Sequence, residues 1–124
     1  RLATALCLER SSLFIKKIEA TMYKLTVFIP DEALESVKAA LFLVGAGTIG
    51  NYEQCCWQVQ GQGQFMPSSG SAPYIGKQDT LEKVDEWRVE MVVEESIIKS
   101  VIAALKKAHP YETPAYDVMK VLDI

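Results

Sequence analysis

The chain is poor in the groups from which most active sites and disulfide scaffolds are built. It has one histidine, His109, and three cysteines, Cys7, Cys55 and Cys56. An odd number with two members adjacent is no disulfide framework. Neighbours in a strand point to opposite faces, so Cys55 and Cys56 cannot grip one metal together from a regular strand. Reduced thiols in the cytoplasm are the simplest reading. One histidine without a second, or without a cysteine cluster, falls short of the three or four ligands of a single-chain metal centre. Ser68, Ser69 and Ser71 have no histidine nearby in sequence, which argues against a Ser-His triad. Positive charge is not in excess: Lys+Arg 13 against Asp+Glu 16 gives a net −3, the wrong balance for a general nucleic-acid binder. Long apolar runs are also missing. None reaches the roughly 20 residues that cross a bilayer, so neither nucleic acid nor membrane is expected as a partner.

What is present suits one domain with a modest core, since 49% of the 124 residues are hydrophobic. Residues 1–21 fit poorly with the rest of the chain and are read as an N-terminal extension, upstream of the natural start at Met22 or artificially added; an N-terminal helix using Leu6, Leu13 and Ile18 is the alternative. Residues 22–124 read as a single domain. Met22 to Pro30 alternates like a strand. Pro30-Asp31 opens a helix with Asp31 as N-cap, and Leu34, Val37, Leu41 and Val44 form its core stripe. Glu53 to Met66 is a long strand with Cys55, Trp57, Val59 and Phe65 on a dry face and Gln58, Gln60, Gln62 and Gln64 on a polar one. Gly61 and Gly63 on the dry side predict a bend or the close approach of another element. Pro67 to Thr80 is a loop, Leu81 to Val93 a second long strand, and Glu95 to Ala108 a second helix ended by Pro110. Thr113 to Leu122 is the last strand. The order β-α-β-β-α-β predicts an α+β, ferredoxin-like domain with a long central hairpin.

That order settles Gly45, Gly47 and Gly50, whose spacing is G-x-G-x-x-G. A nucleotide fingerprint needs a strand before the glycines and a helix after them. Here a helix precedes and a strand comes after, so the glycines read as a helix C-cap and a tight turn. The topology puts Pro30-Asp31, the Pro67–Thr80 loop and the segment AHPYETPAYD (Ala108 to Asp117) at one end of the sheet, and the glycine turn at the other. AHPYETPAYD is the segment richest in chemistry. His109 can act as acid, base or metal ligand beside Glu112, or can simply cap the helix. The long hairpin arms overshoot a small sheet and leave an edge that a neighbouring subunit would pair. The glutamine face reads either as an intersubunit surface or as a solvated one.

GAGTIGNYEQCCWQVQGQGQFMPSSGSAPYIGKQDTLEKVDEWRVE and KKAHPYETPAYDV resemble the middle domain of YqfO-type, Nif-three-like proteins. The resemblance spans Met22 to Asp123 and implies a fold similar to CutA and PII signalling proteins, with trimers joined through long hairpins. It implies that the two-metal centre of the larger relatives is built by flanking domains, so that a metal-hydrolase or cyclohydrolase label does not pass to this chain. The expected function is a non-enzymatic, regulatory module that binds a small ligand or divalent metal as a homotrimer, with sites between subunits. His109, Tyr111 and Glu112 would contribute from one chain and Asn51 and Tyr52 from a neighbour, with His109 and Glu112 as the metal candidates. The alternatives are a metal-dependent hydrolase whose site is shared across subunits, and a purely structural oligomerisation or partner-docking domain.

Overall fold

A computed structural model describes residues 21–122. The expectations placed on residues 1–20, Cys7 and the N-terminal helix among them, lie outside the described residues. Strand β1 is Met22–Pro30, β2 Trp57–Phe65, β3 Glu82–Glu94 and β4 Tyr116–Val121. Helix α1 is Leu34–Leu43 and α2 Ile98–Ala108, each entered through a 3-10 turn, Asp31–Ala33 and Glu95–Ile97. The four strands form one sheet in the order β2-β3-β1-β4, with every neighbouring pair antiparallel. This is the α+β, ferredoxin-like arrangement that the alternating strand and helix patterns predict.

The core lies between one face of the sheet and the two helices. Leu25, Val27 and Ile29 of β1 and Val89, Met91 and Val93 of β3 point to it, and Val37, Leu41, Val101 and Leu105 close it from the helices. Odd-numbered positions supply both strands because side chains alternate with period 2. The first helix does not use Asp31 as its cap. Ala33 occupies that position and Pro30 the corresponding place before the 3-10 turn, neither with a side-chain bond, and Asp31 Oδ1 accepts the indole N–H of Trp87 at 2.7 Å. The last strand is shorter than its sequence pattern, because residues 113–115 belong to the loop before it.

Helix α1 ends in a Schellman motif. Gly45 N–H donates to Phe42 O, and Ala46 N–H donates to Leu41 O. Gly45 has φ +105°, which a side chain rarely adopts. Gly47, at φ +78°, is pressed against the Cys55 backbone, and a Cβ there would sit 2.7 Å from Cys55 O. The glycine triplet is therefore a helix stop and a tight turn.

Strand β2 differs from its sequence reading in two ways. It begins at Trp57 rather than Glu53, because Gln54 (φ 58°) turns the chain and Cys55 N–H donates to Gly47 O. Its apolar positions also point away from the helices. Gln58 pairs with Val89 and Gln60 with Trp87, so the glutamines share the helix side, where Gln58 accepts a bond from Lys38 of α1 at 2.9 Å. Trp57 and Val59 lie on the open face opposite Glu90 and Arg88, and are 57% and 40% exposed in the single chain. The β2–β3 pairing also runs past β1. Pro30 faces Glu86, whereas Gln62–Phe65 pair with Glu82–Asp85, an overhang of about 13 Å at ~3.3 Å per residue.

Candidate functional site

The loop from His109 to Ala115 is fastened to β1. His109 N–H caps α2 on Leu105 O, and Phe28 N–H donates to Ala115 O. The His109 ring is buried, with 5% of its surface exposed. Its Nε2 lies 2.7 Å from Phe28 O, and its Nδ1 accepts the Tyr111 N–H at 3.1 Å. Those partners assign the neutral tautomer with the proton on Nε2. Burial holds the imidazole below its ordinary pKa, against the opposing pull of the Phe28 carbonyl.

His109 thereby aims Tyr111. The two rings sit 4.9 Å apart, and the phenol reaches under the hairpin loop, where it meets Phe65 at 6.1 Å and Tyr74 at 6.2 Å between ring centres. A pocket of about 270 Å³ opens there, lined by Phe65, Ser71, Tyr74, Glu86, Tyr111 and Glu112 among others. The Tyr111 hydroxyl is buried and has no hydrogen-bond partner among the described residues. Burial, with Glu86, Glu32 and Tyr74 adding to it, pushes its pKa up to about 12, so the group stays a neutral phenol. Burial likewise raises the Glu86 carboxyl from its ordinary pKa. The Glu86 carboxylate lies across Gly63, where any Cβ would collide with it. The predicted close approach is thus real at Gly63, while Gly61 has open space. Glu112 Oε2 accepts the Ala72 N–H at 2.7 Å and pins the hairpin loop over the pocket.

His109, Tyr111 and Glu112 are accordingly brought together. Asn51 and Tyr52 are not: they lie in the turn closed by mutual Ile49–Tyr52 backbone bonds, beside the Gly47–Val92 contact at the opposite end of the sheet. Both ring nitrogens of His109 are engaged, so its use as a metal ligand would require breaking the bond to Phe28 or the bond to Tyr111, whereas Glu112 has one oxygen not bonded to Ala72. Among the described residues no three His, Cys, Asp or Glu side chains gather as a metal-binding group. Cys55 and Cys56 are free thiols. No described helix is long and apolar enough to cross a membrane. Sequence reasoning missed Phe65, Tyr74 and Glu86. The topology does signal the first two, because it places the hairpin loop and AHPYETPAYD at one end. Glu86 emerges only from strand register.

No family model matches the chain. It is 43% identical over 117 residues to the GTP cyclohydrolase 1 type 2 homolog of Halalkalibacterium halodurans, covering 94% of this chain and 32% of that protein. The protein of the same name from Bacillus subtilis is 42% identical over 97% of this chain and 32% of its own length. That match covers more than lies between Met22 and Ile124, so it takes in residues ahead of Met22 that the motif-based resemblance leaves aside. The chain spans about a third of the length of these curated relatives. A Bacillus cereus protein related to NIF3 superposes with TM-score 0.72 at 39% identity, over 84% of this chain and 26% of that one. The divalent ion tolerance protein CutA1 of Ehrlichia chaffeensis gives 0.62 at 12% identity, covering 86% of each. GlnK of Bacillus subtilis, in its ATP complex, gives 0.55 at 12% identity, covering 82% of each. The chain is thus similar, along nearly all its length, to about a third of NIF3-related proteins named GTP cyclohydrolase 1 type 2 homolog, and it shares the fold of CutA and GlnK.

Proposed function

We propose that the chain is a ligand-binding, regulatory module that acts as a homotrimer and holds a small molecule in the Tyr111 pocket. It is read as the counterpart of the inserted middle domain of the larger relatives. The observation that carries the reading is the Tyr111 hydroxyl, a buried polar group left without a partner. Such a group costs about 1–3 kcal/mol, and a ligand that bonds to it recovers that cost. His109 positions Tyr111, and Glu112 holds the loop above it. Asn51 and Tyr52 of a neighbouring subunit would complete the site.

The open face of the sheet supports the trimer. Trp57, Val59, Met119 and Val121 are exposed on it, around a charged centre in which Glu90 bonds Lys24 and contacts Arg88. The outer edge of β2 is unpaired among the described residues. A wet apolar face beside a bare strand edge is what association covers. The name of the relatives refers to GTP. The charged groups lining this pocket, Glu86 and Glu112, are of the sign that repels a triphosphate, and the reading makes this unit a binding element rather than a catalytic one.

A screen of small metabolites against the purified protein, followed through the backbone amide resonances of residues 71–75 and 111–113, tests the proposal. A ligand that shifts those resonances and is lost in Tyr111→Phe is the expected result. Ligands that perturb only other surfaces would overturn it.

A further inference from the structure

The pocket's lining narrows the kind of ligand it can take. Three aromatic rings, Phe65, Tyr74 and Tyr111, surround it in tilted contacts, with interplanar angles of 53° and 48° to Tyr111. Tilted rings present faces as well as edges, and ring faces carry negative potential. The two charged side chains in the lining are both carboxylates, Glu86 and Glu112, and no lysine, arginine or histidine is among the lining residues. Glu86 forms none of the ion pairs found among the described residues. Glu112 spends one oxygen on Ala72. The Tyr111 oxygen, buried and unpartnered, can accept a hydrogen bond from an incoming N–H.

Resting on the ligand-binding reading above, we propose that the Tyr111 pocket receives an organic cation, a protonated amine on a short apolar body. Rings take up the charge through their faces, Glu86 neutralises it, and Pro67, Pro73 and Ile75 of the lining receive the apolar part. A bare metal ion fits less well, since hard cations take six or more oxygen ligands and much of this lining is apolar. An anion would meet two carboxylates with no compensating cation.

Three probes of similar size and different charge separate the outcomes: benzylammonium, benzyl alcohol and phenylacetate. Each is titrated into the full chain while the amides of residues 71–75 and 111–113 are followed by NMR. The expected result is saturable shifts with the ammonium alone, an affinity about tenfold weaker in Glu86→Gln, and a several-fold loss in Tyr74→Ala. Tyr74 is exposed, so its replacement leaves the core intact. Phenylacetate or benzyl alcohol binding as well as the ammonium, or an ammonium affinity unchanged in Glu86→Gln, would overturn the cation and leave the pocket standing. Silence from all three probes, in a protein whose amides respond to no metabolite either, would overturn both.

Discussion

The Nε2 of His109 meets the backbone carbonyl of Phe28, 81 positions earlier in the chain, at 2.7 Å. The single histidine of the sequence is thus a clasp between the loop after α2 and the first strand. It acts on the pocket through the direction it gives Tyr111.

Replacing His109 with alanine removes that clasp and strands the Phe28 carbonyl. The expected cost is about 2–3 kcal/mol, the sum of an unsatisfied buried acceptor and a small cavity. Urea denaturation at fixed protein concentration measures it. A loss below about 0.5 kcal/mol would show that the clasp contributes little.

The same residue sets a pH dependence. Its folded pKa is lowered, so between that value and the ordinary imidazole value near 6.5 the unfolded chain binds a proton that the folded chain does not. The contribution is fully present above about pH 6.5 and is lost as the pH falls below it. Melting temperature should drop between about pH 7.5 and 5.5, and the drop should be smaller in His109→Gln. Equal slopes in the two proteins would refute the assignment.

Tyr111→Phe should separate stability from binding. Removing a buried hydroxyl that has no partner is expected to leave the free protein as stable as before, or more stable by about 1 kcal/mol. Ligand affinity should fall in the same variant. A clear destabilisation of the free protein would mean that the hydroxyl already has a partner.

Two glycine substitutions should differ sharply. Gly47→Ala drives a Cβ into the Cys55 backbone at a positive φ, and a loss of about 2 kcal/mol or more is expected. Gly63→Ala meets only the end of the Glu86 side chain, which can swing aside. Its effect on chemical denaturation should stay within about 1 kcal/mol, while its effect on the pocket should be large, since Glu86 must leave its place.

Trp57→Glu tests the open face. Light scattering on the wild-type protein should give a species of three chains, and the variant a smaller one, with helix content unchanged. A wild-type protein that stays a single chain at high concentration would remove the trimer.

The architecture was legible because each element carries one strong period. Leu25, Val27 and Ile29 repeat every second residue, while Val101 and Leu105 lie one helical turn apart. The face of β2 was not legible. Alternation says that Trp57 and Gln58 point in opposite directions, but it does not say which direction holds the helices. That depends on pairing with β3, where Gln58 falls beside Val89. Asp31 looked like a cap because its sequence position suits one, and only the fold brings the Trp87 indole within reach. His109, Tyr111 and Glu112 stand out as a chemically rich segment, yet their division of labour rests on hydrogen bonds to residues 28 and 72, far away in sequence.

The fastening of residues 109–115 to β1 has a bearing on synthesis. The first described strand leaves the ribosome ahead of every other described element, and waits for a loop made only after both helices. A nascent chain halted before His109 holds the residues of the hairpin and of both helices, but it has only one wall of the pocket, because Tyr111 and Glu112 are not yet made. The pocket is therefore completed late in the making of this unit, when the segment beyond α2 has emerged and closed onto a strand that was finished long before.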